Sequence, residues 1–146
     1  MSEGYDAVNN WEIWAEIEKL DFTDIKARYK SKKNFFWKLF YNADKIEIEY
    51  RQFLYLICTN PVKMIIPWSK NLDEFWHEHI LDTKNYEACC YLIFGKYIHH
   101  VPGIPKDLQQ HTKAYDKTKN LYKKVFSKKT KSVIIYCVAD GSCEGN

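Results

Sequence analysis

No apolar run in the 146 residues approaches the roughly 20 that a membrane-spanning helix needs, so no membrane partner is expected. The opening segment, MSEGYDAVNN, lacks the basic-then-apolar pattern of a secretory signal, and the expected localisation is cytoplasmic. There is no CxxC pair. The five cysteines stand at positions 58, 89, 90, 137 and 143, an odd number with Cys89 and Cys90 adjacent, which suits neither a disulfide framework nor a zinc knuckle. Cys58, Cys89 and Cys90 are expected as reduced, small core residues. Internal repeats, low-complexity segments, a phosphate-binding loop and the HExxH zinc motif are also missing.

What is present is globular. Eleven tyrosines and eight phenylalanines provide core material, and the length suits one domain. The formal charge is only +3 but unevenly spread: the first twenty-four residues are acidic and the segment from Lys106 to Lys131 is basic. Lysines at this density, without arginine or interleaved glycine, are expected as a solvated helix face, so a nucleic-acid partner is not expected.

The period of the apolar residues predicts helices. Asn9 or Asn10 caps a first one, with Trp11, Trp14, Ile17 and Leu20 as its stripe. Asp21 or Thr23 starts a second, carrying Ile25 and Tyr29. After a polar break, Phe35 onward (FFWKLF) is apolar enough to be buried on most sides. Between Asp44 and Cys58, Ile46 to Tyr50 alternates like a strand, but a longer period near 3.6 and the uninterrupted length favour a helix. Pro61 follows its end. The connector VKMIIPWS is apolar and expected against the core. Ser69 or Asn71 then caps a helix with Asp73, Trp76, His77 and Ile80, and Asp82-Thr83 starts the next, which Gly95 stops in a left-handed conformation. A long helix from about Lys106 to Phe126 turns Leu108, His111 or Thr112, Tyr115, Thr118, Tyr122 and Val125 or Phe126 inward. The fold class is therefore mainly α, a single-domain helical bundle over residues 1–131 with a central helical hairpin. Residues 132–146 form an extended or flexible tail, with Ser132 to Val138 β-prone.

The chemistry gathers between Pro67 and Pro102, which hold four of the five histidines. Asp73 and His77 are four apart and share a helix face, where a carboxylate can orient an imidazole or join it on a metal. His77 and His79 are two apart, about 200° around a helix, and cannot chelate one ion. His79 is expected to be dispensable for the site. Glu74, Glu78 and Asp82 form a separate row, expected as an exposed acidic edge. The hairpin brings His99 or His100 back toward His77, so Asp73, His77, His99 and His100 are the candidate metal ligands, with zinc or another divalent transition metal as the ion.

The pattern D-x-x-W-H-x-H-I-L-x-T-x-x-Y, then C, then F-G-x-x-I-H-H-x-P, resembles a family of uncharacterised bacterial proteins. That family is related to the N-terminal domain of plant glycine-rich-domain proteins. Asp73, Trp76, His77, His79, Asp82, Thr83, Tyr86, Cys90, Phe94, Gly95, His99, His100 and Pro102 occupy those places, and the likeness runs from about Tyr50 to Phe126. The resemblance implies a helical fold with Asp73, His77, His99 and His100 as its polar core. Relatives often continue into a glycine- and cysteine-rich tail, whereas Cys137 to Asn146 is brief.

Two function classes remain. In the first, the histidine/aspartate cluster is a metal site, and a water in an open position would extend it to a metal-dependent hydrolase. In the second, the histidines form a buried hydrogen-bond network with Trp76, Tyr86 and Tyr97, and the domain is a non-catalytic interaction module for a protein partner.

Overall fold

A computed structural model of the chain describes residues 10–101 and 108–126. Within them the chain forms seven helices, α1 (Asn10–Glu18), α2 (Thr23–Ser31), α3 (Phe35–Phe40), α4 (Ala43–Thr59), α5 (Lys70–Leu81), α6 (Thr83–Phe94) and α7 (Leu108–Val125). No strand occurs among the described residues, in agreement with the mainly α expectation. The β-prone run Ser132 to Val138 and the tail lie outside them. No helix among the described residues is long and apolar enough to cross a membrane.

Local chemistry sets several helix ends. The Asn34 side chain accepts from Trp37 N at 2.8 Å, Asn42 from Asp44 N at 2.8 Å, and Ser69 from Leu72 N at 3.2 Å, each satisfying an amide that the first turn would otherwise leave unpaired. Gly95 ends α6 at φ 67°, and its N–H donates to the Tyr91 carbonyl. The stretch that alternates like a strand, Ile46 to Tyr50, is helical within α4, as its length predicts.

Helix α4 is the centre of the bundle and packs on α1, α2 and α5, while α5 also meets α2 and α6. Tyr50, Phe53, Leu54 and Leu56 of α4 are fully buried against Leu72, Phe75 and Trp76 of α5 and Ile25 and Tyr29 of α2. Each such side chain contributes about 1.5–3 kcal/mol by leaving water. Arg51 of α4 holds the end of α1: its guanidinium donates to the carbonyls of Ile17, Glu18 and Leu20, pairs with Glu47 at 2.7 Å, and lies over the Phe22 ring. The last turn of a helix leaves carbonyls without intrahelical partners, and here one side chain takes two of them, Ile17 and Glu18, together with the Leu20 carbonyl just beyond the end.

Helix α7 docks through the 61–69 connector. Trp68 stacks on Tyr122 at 4.3 Å, its carbonyl accepts from the Tyr115 hydroxyl at 3.1 Å, and Ile66 N donates to the buried Thr118 hydroxyl at 3.3 Å. Phe126 closes the end against Trp14 and Tyr55. The connector is pinned as expected at Ile65 and Trp68, while Val62 and Met64 point to solvent. Of the proposed inner stripe, Thr118 and Phe126 are buried and Tyr115, Tyr122 and Val125 half-buried, whereas His111 is exposed.

Two expectations are corrected. FFWKLF is not buried on most sides: α3 spans less than two turns, and only Trp37 reaches inward, donating Nε1–H to Asn71 Oδ1 at 3.0 Å beside Tyr29. Nor is the Glu74–Glu78–Asp82 row an exposed edge. It faces the basic side of α2 and the residues just after it: Glu74 pairs with Lys33, the buried Glu78 with Lys32, and Asp82 with Arg28 at 3.2 Å. Packing of α2 on α5 brings opposite charges together along one seam.

Candidate metal centre

Helix α5 carries two different faces. Leu72, Phe75, Trp76 and His79 follow one another at i, i+3, i+4 and i+7, the spacing of a buried stripe, and all four are buried. Asp73 and His77 lie on the neighbouring, solvent-facing side. The His-Glu-His sequence therefore sends its two imidazoles into unlike surroundings.

On the outer face, His77 Nδ1 stands 3.6 Å from Asp73 Oδ2, and His100 Nε2 stands 3.0 Å from Asp73 Oδ1. The two imidazole centroids are 4.4 Å apart. One candidate ligand atom from each of Asp73, His77 and His100 lies within 4.8 Å of the others. The side chains are 38%, 46% and 17% exposed respectively, so the cluster opens to solvent at His77 and is walled at His100. Donors around a tetrahedral zinc at about 2.1 Å lie about 3.4 Å from each other, a separation similar to the 3.0 and 3.6 Å that His100 and His77 keep from the two Asp73 oxygens.

His100 is delivered by a relay through the hairpin. Trp76 Nε1–H donates to the Tyr86 hydroxyl at 3.1 Å, and that hydroxyl donates to the Ile98 carbonyl at 2.6 Å. Gly95 turns the chain after α6, Tyr97 packs edge-on against Tyr86, and the strap 96–101 returns over α5. Trp76 then forms a wall, its ring 4.6 Å from that of His100. Burial pushes the Tyr86 hydroxyl well above its ordinary pKa, so it stays a neutral donor.

His99, the fourth candidate, is exposed with its ring against Tyr97 at 4.7 Å, and is not among the three residues whose ligand atoms converge. The two neighbours turn to different sides, His99 to Tyr97 and His100 to Asp73 and Trp76.

On the inner face, His79 is fully buried. Its Nδ1 accepts from the Tyr50 hydroxyl at 2.7 Å and its Nε2 meets Asn85 Oδ1 at 3.1 Å, a pairing that a neutral imidazole protonated on Nε2 satisfies at both nitrogens. Phe22, Tyr50 and Tyr86 surround the ring. Burial lowers the His79 pKa to about 4, against the opposing pull of the Asn85 hydrogen bond and the Asp82 charge. A buried histidine network exists as envisaged, but around His79 and not His77. The signal was present in the sequence: His79 completes the apolar stripe of α5.

Among the described residues the three thiols, Cys58, Cys89 and Cys90, are free, and burial raises each of them, Cys89 to about 12. None presents a reactive thiolate near the cluster.

No curated protein and no solved structure matches the chain. A family model does, that of the UCP032817-like proteins over residues 17–132, a span that takes in α2 to α7, the inner network and the outer cluster. The chain belongs to the UCP032817-like family.

Proposed function

We propose that the protein binds one divalent transition metal, zinc by the chemistry of its donors, through Asp73, His77 and His100. The observation that carries this reading is the convergence of two imidazoles on one carboxylate at 3.0 and 3.6 Å from two different segments of chain. Nitrogen and oxygen donors in this number suit zinc and leave a fourth position for solvent. The other carboxylates of α5, Glu74 and the buried Glu78, face α2 and are held by Lys33 and Lys32. They are not available as general bases, and the site reads as metal-holding rather than hydrolytic. The histidine motif also supports a relation of the family to the plant glycine-rich-domain proteins, as part of the same proposal.

Elemental analysis of the protein purified without a nickel column tests the reading. One equivalent of metal, lost in His100→Ala and in Asp73→Asn while the helical circular dichroism spectrum is retained, is the expected result. A metal-free protein that takes up no zinc on titration overturns it.

The second reading is a non-catalytic helical module for a protein partner, in which Asp73 only tethers the strap to α5. The 3.0 Å Asp73–His100 hydrogen bond favours it, because that bond by itself ties the strap to α5. The two readings separate on whether zinc changes the stability of the folded chain.

A further inference from the structure

Among the described residues, a cluster of exposed apolar side chains lies away from the histidines. Phe35, Phe36, Leu39 and Phe40 of α3 are 74%, 71%, 65% and 75% exposed, and Tyr41 beside them is exposed as well. Scattered apolar residues on a surface need no explanation, but four on one six-residue helix do. With Trp37 turned inward and 100° per residue, Phe35 and Leu39 project outward. Phe36 and Phe40 flank them on one side and Lys38 on the other. Asn34 caps the helix and Asn71 grips Trp37, so the projecting side chains are presented by a fixed element.

The charge around this helix is mostly basic. From Arg28 to Lys45 the sequence holds six basic residues and a single carboxylate, Asp44, which pairs with Lys26 at 2.8 Å. Lys32 and Lys33 are taken by Glu78 and Glu74, but Lys30, Lys38 and Lys45 are exposed at the end of α2, within α3 and at the start of α4. Aromatic side chains at the tip with lysines at the shoulder are the arrangement of a peripheral membrane anchor. The rings enter the boundary between headgroups and acyl chains, and the ammonium groups stay at the level of the anionic headgroups.

We propose that α3 seats the protein on an anionic lipid bilayer, with Phe35, Phe36, Leu39 and Phe40 inserted and Lys30, Lys38 and Lys45 on the headgroups. Shape decides against a second copy or another folded protein. The apolar residues stand on one six-residue helix with side chains 65–75% exposed, whereas a stable protein interface takes about 800 Å² from each partner and an apolar core that matches it. A bilayer deforms around a projection and requires no matching groove. The expectation of no membrane partner rested on the absence of a spanning run, and surface seating needs none.

Sedimentation of the full chain with vesicles tests this, comparing phosphatidylcholine/phosphatidylserine mixtures with phosphatidylcholine alone. Partitioning to the mixed vesicles is expected, with weak partitioning to phosphatidylcholine and a decrease as salt is raised. The double substitution Phe36→Ser/Phe40→Ser is expected to reduce partitioning at least about tenfold, and Lys38→Glu to reduce it severalfold. Val62→Ser, which alters an exposed apolar residue outside α3, is expected to change nothing. Because the altered phenylalanines are exposed, an unchanged circular dichroism spectrum accompanies their loss. No partitioning to mixed vesicles, or equal partitioning by the double variant, overturns the proposal. So does a dimer in solution that the double variant dissolves, since α3 would then be occupied by a second copy.

Discussion

Two histidines two residues apart on one helix do opposite work. His79 is sealed among Phe22, Tyr50 and Tyr86 with both nitrogens satisfied by uncharged partners. His77 is half-exposed beside a carboxylate and a second imidazole. The first environment holds a neutral ring and fixes how α4, α5 and α6 meet. The second gathers lone pairs at a place a cation can reach. Identity of residue type carries no role; the angle around α5 does.

The largest effect that separates the two belongs to His79. His79→Ala leaves a cavity and strands the Tyr50 hydroxyl and the Asn85 side chain, and is expected to cost about 3–4 kcal/mol in urea denaturation. Metal uptake by the fraction that remains folded should persist. A loss below about 1 kcal/mol would contradict the sealed network.

The pH dependence of stability comes next. A neutral His79 with a folded pKa of about 4, below the ordinary 6.5, means that the unfolded chain binds the extra proton between those values. Stability from this group is thus complete above about pH 6.5 and falls as pH drops toward 4, by at most about 3 kcal/mol. His79→Gln keeps polar contacts but does not titrate, so this part of the decline should vanish from its denaturation profile. An identical profile for the two proteins would place the titration elsewhere.

For the outer cluster the expected response is to metal. Zinc at about a hundred times its dissociation constant is expected to stabilise the wild type by about 2.7 kcal/mol, read as a rise in melting temperature. Asp73→Asn should show no rise, and His99→Ala should keep it. Equal shifts in wild type and Asp73→Asn would assign zinc binding to another place.

The smallest effect is the one that distinguishes surface from core most directly. Without metal, His77→Ala is expected to change stability by no more than about 0.5 kcal/mol, because its ring is half in water and its 3.6 Å contact with Asp73 is a solvent-screened pair. A loss matching that of His79→Ala would erase the contrast between the two faces.

Much of this was readable before any coordinates. Period and end signals located α1, α2, α4, α5 and α6 nearly to the residue, because Ser69 acts on an amide three positions away and Gly95 acts on its own φ, whereas the caps Asn34 and Asn42 were not singled out. The four-residue spacing of Asp73 and His77 likewise showed that they share a face. Long-range partners were not readable. Nothing local in Glu78 says that Lys32, forty-six positions away, lies across the seam, nor in Tyr50 that its hydroxyl meets His79. The exposure of α3 was missed because apolar content measures the tendency to leave water, whereas burial also needs a neighbour on each side of a short helix. His99 and His100 were inseparable in sequence, and the strap geometry parts them.

The grip of Arg51 on the carbonyls of Ile17, Glu18 and Leu20 makes the fate of α1 depend on a residue of the central helix. A nine-residue helix has little independent stability. It persists because opening it would strand a half-buried guanidinium as well as expose Trp14 and Ile17. Its amides are therefore expected to open together with α4, and hydrogen exchange should protect them as it protects those of α4.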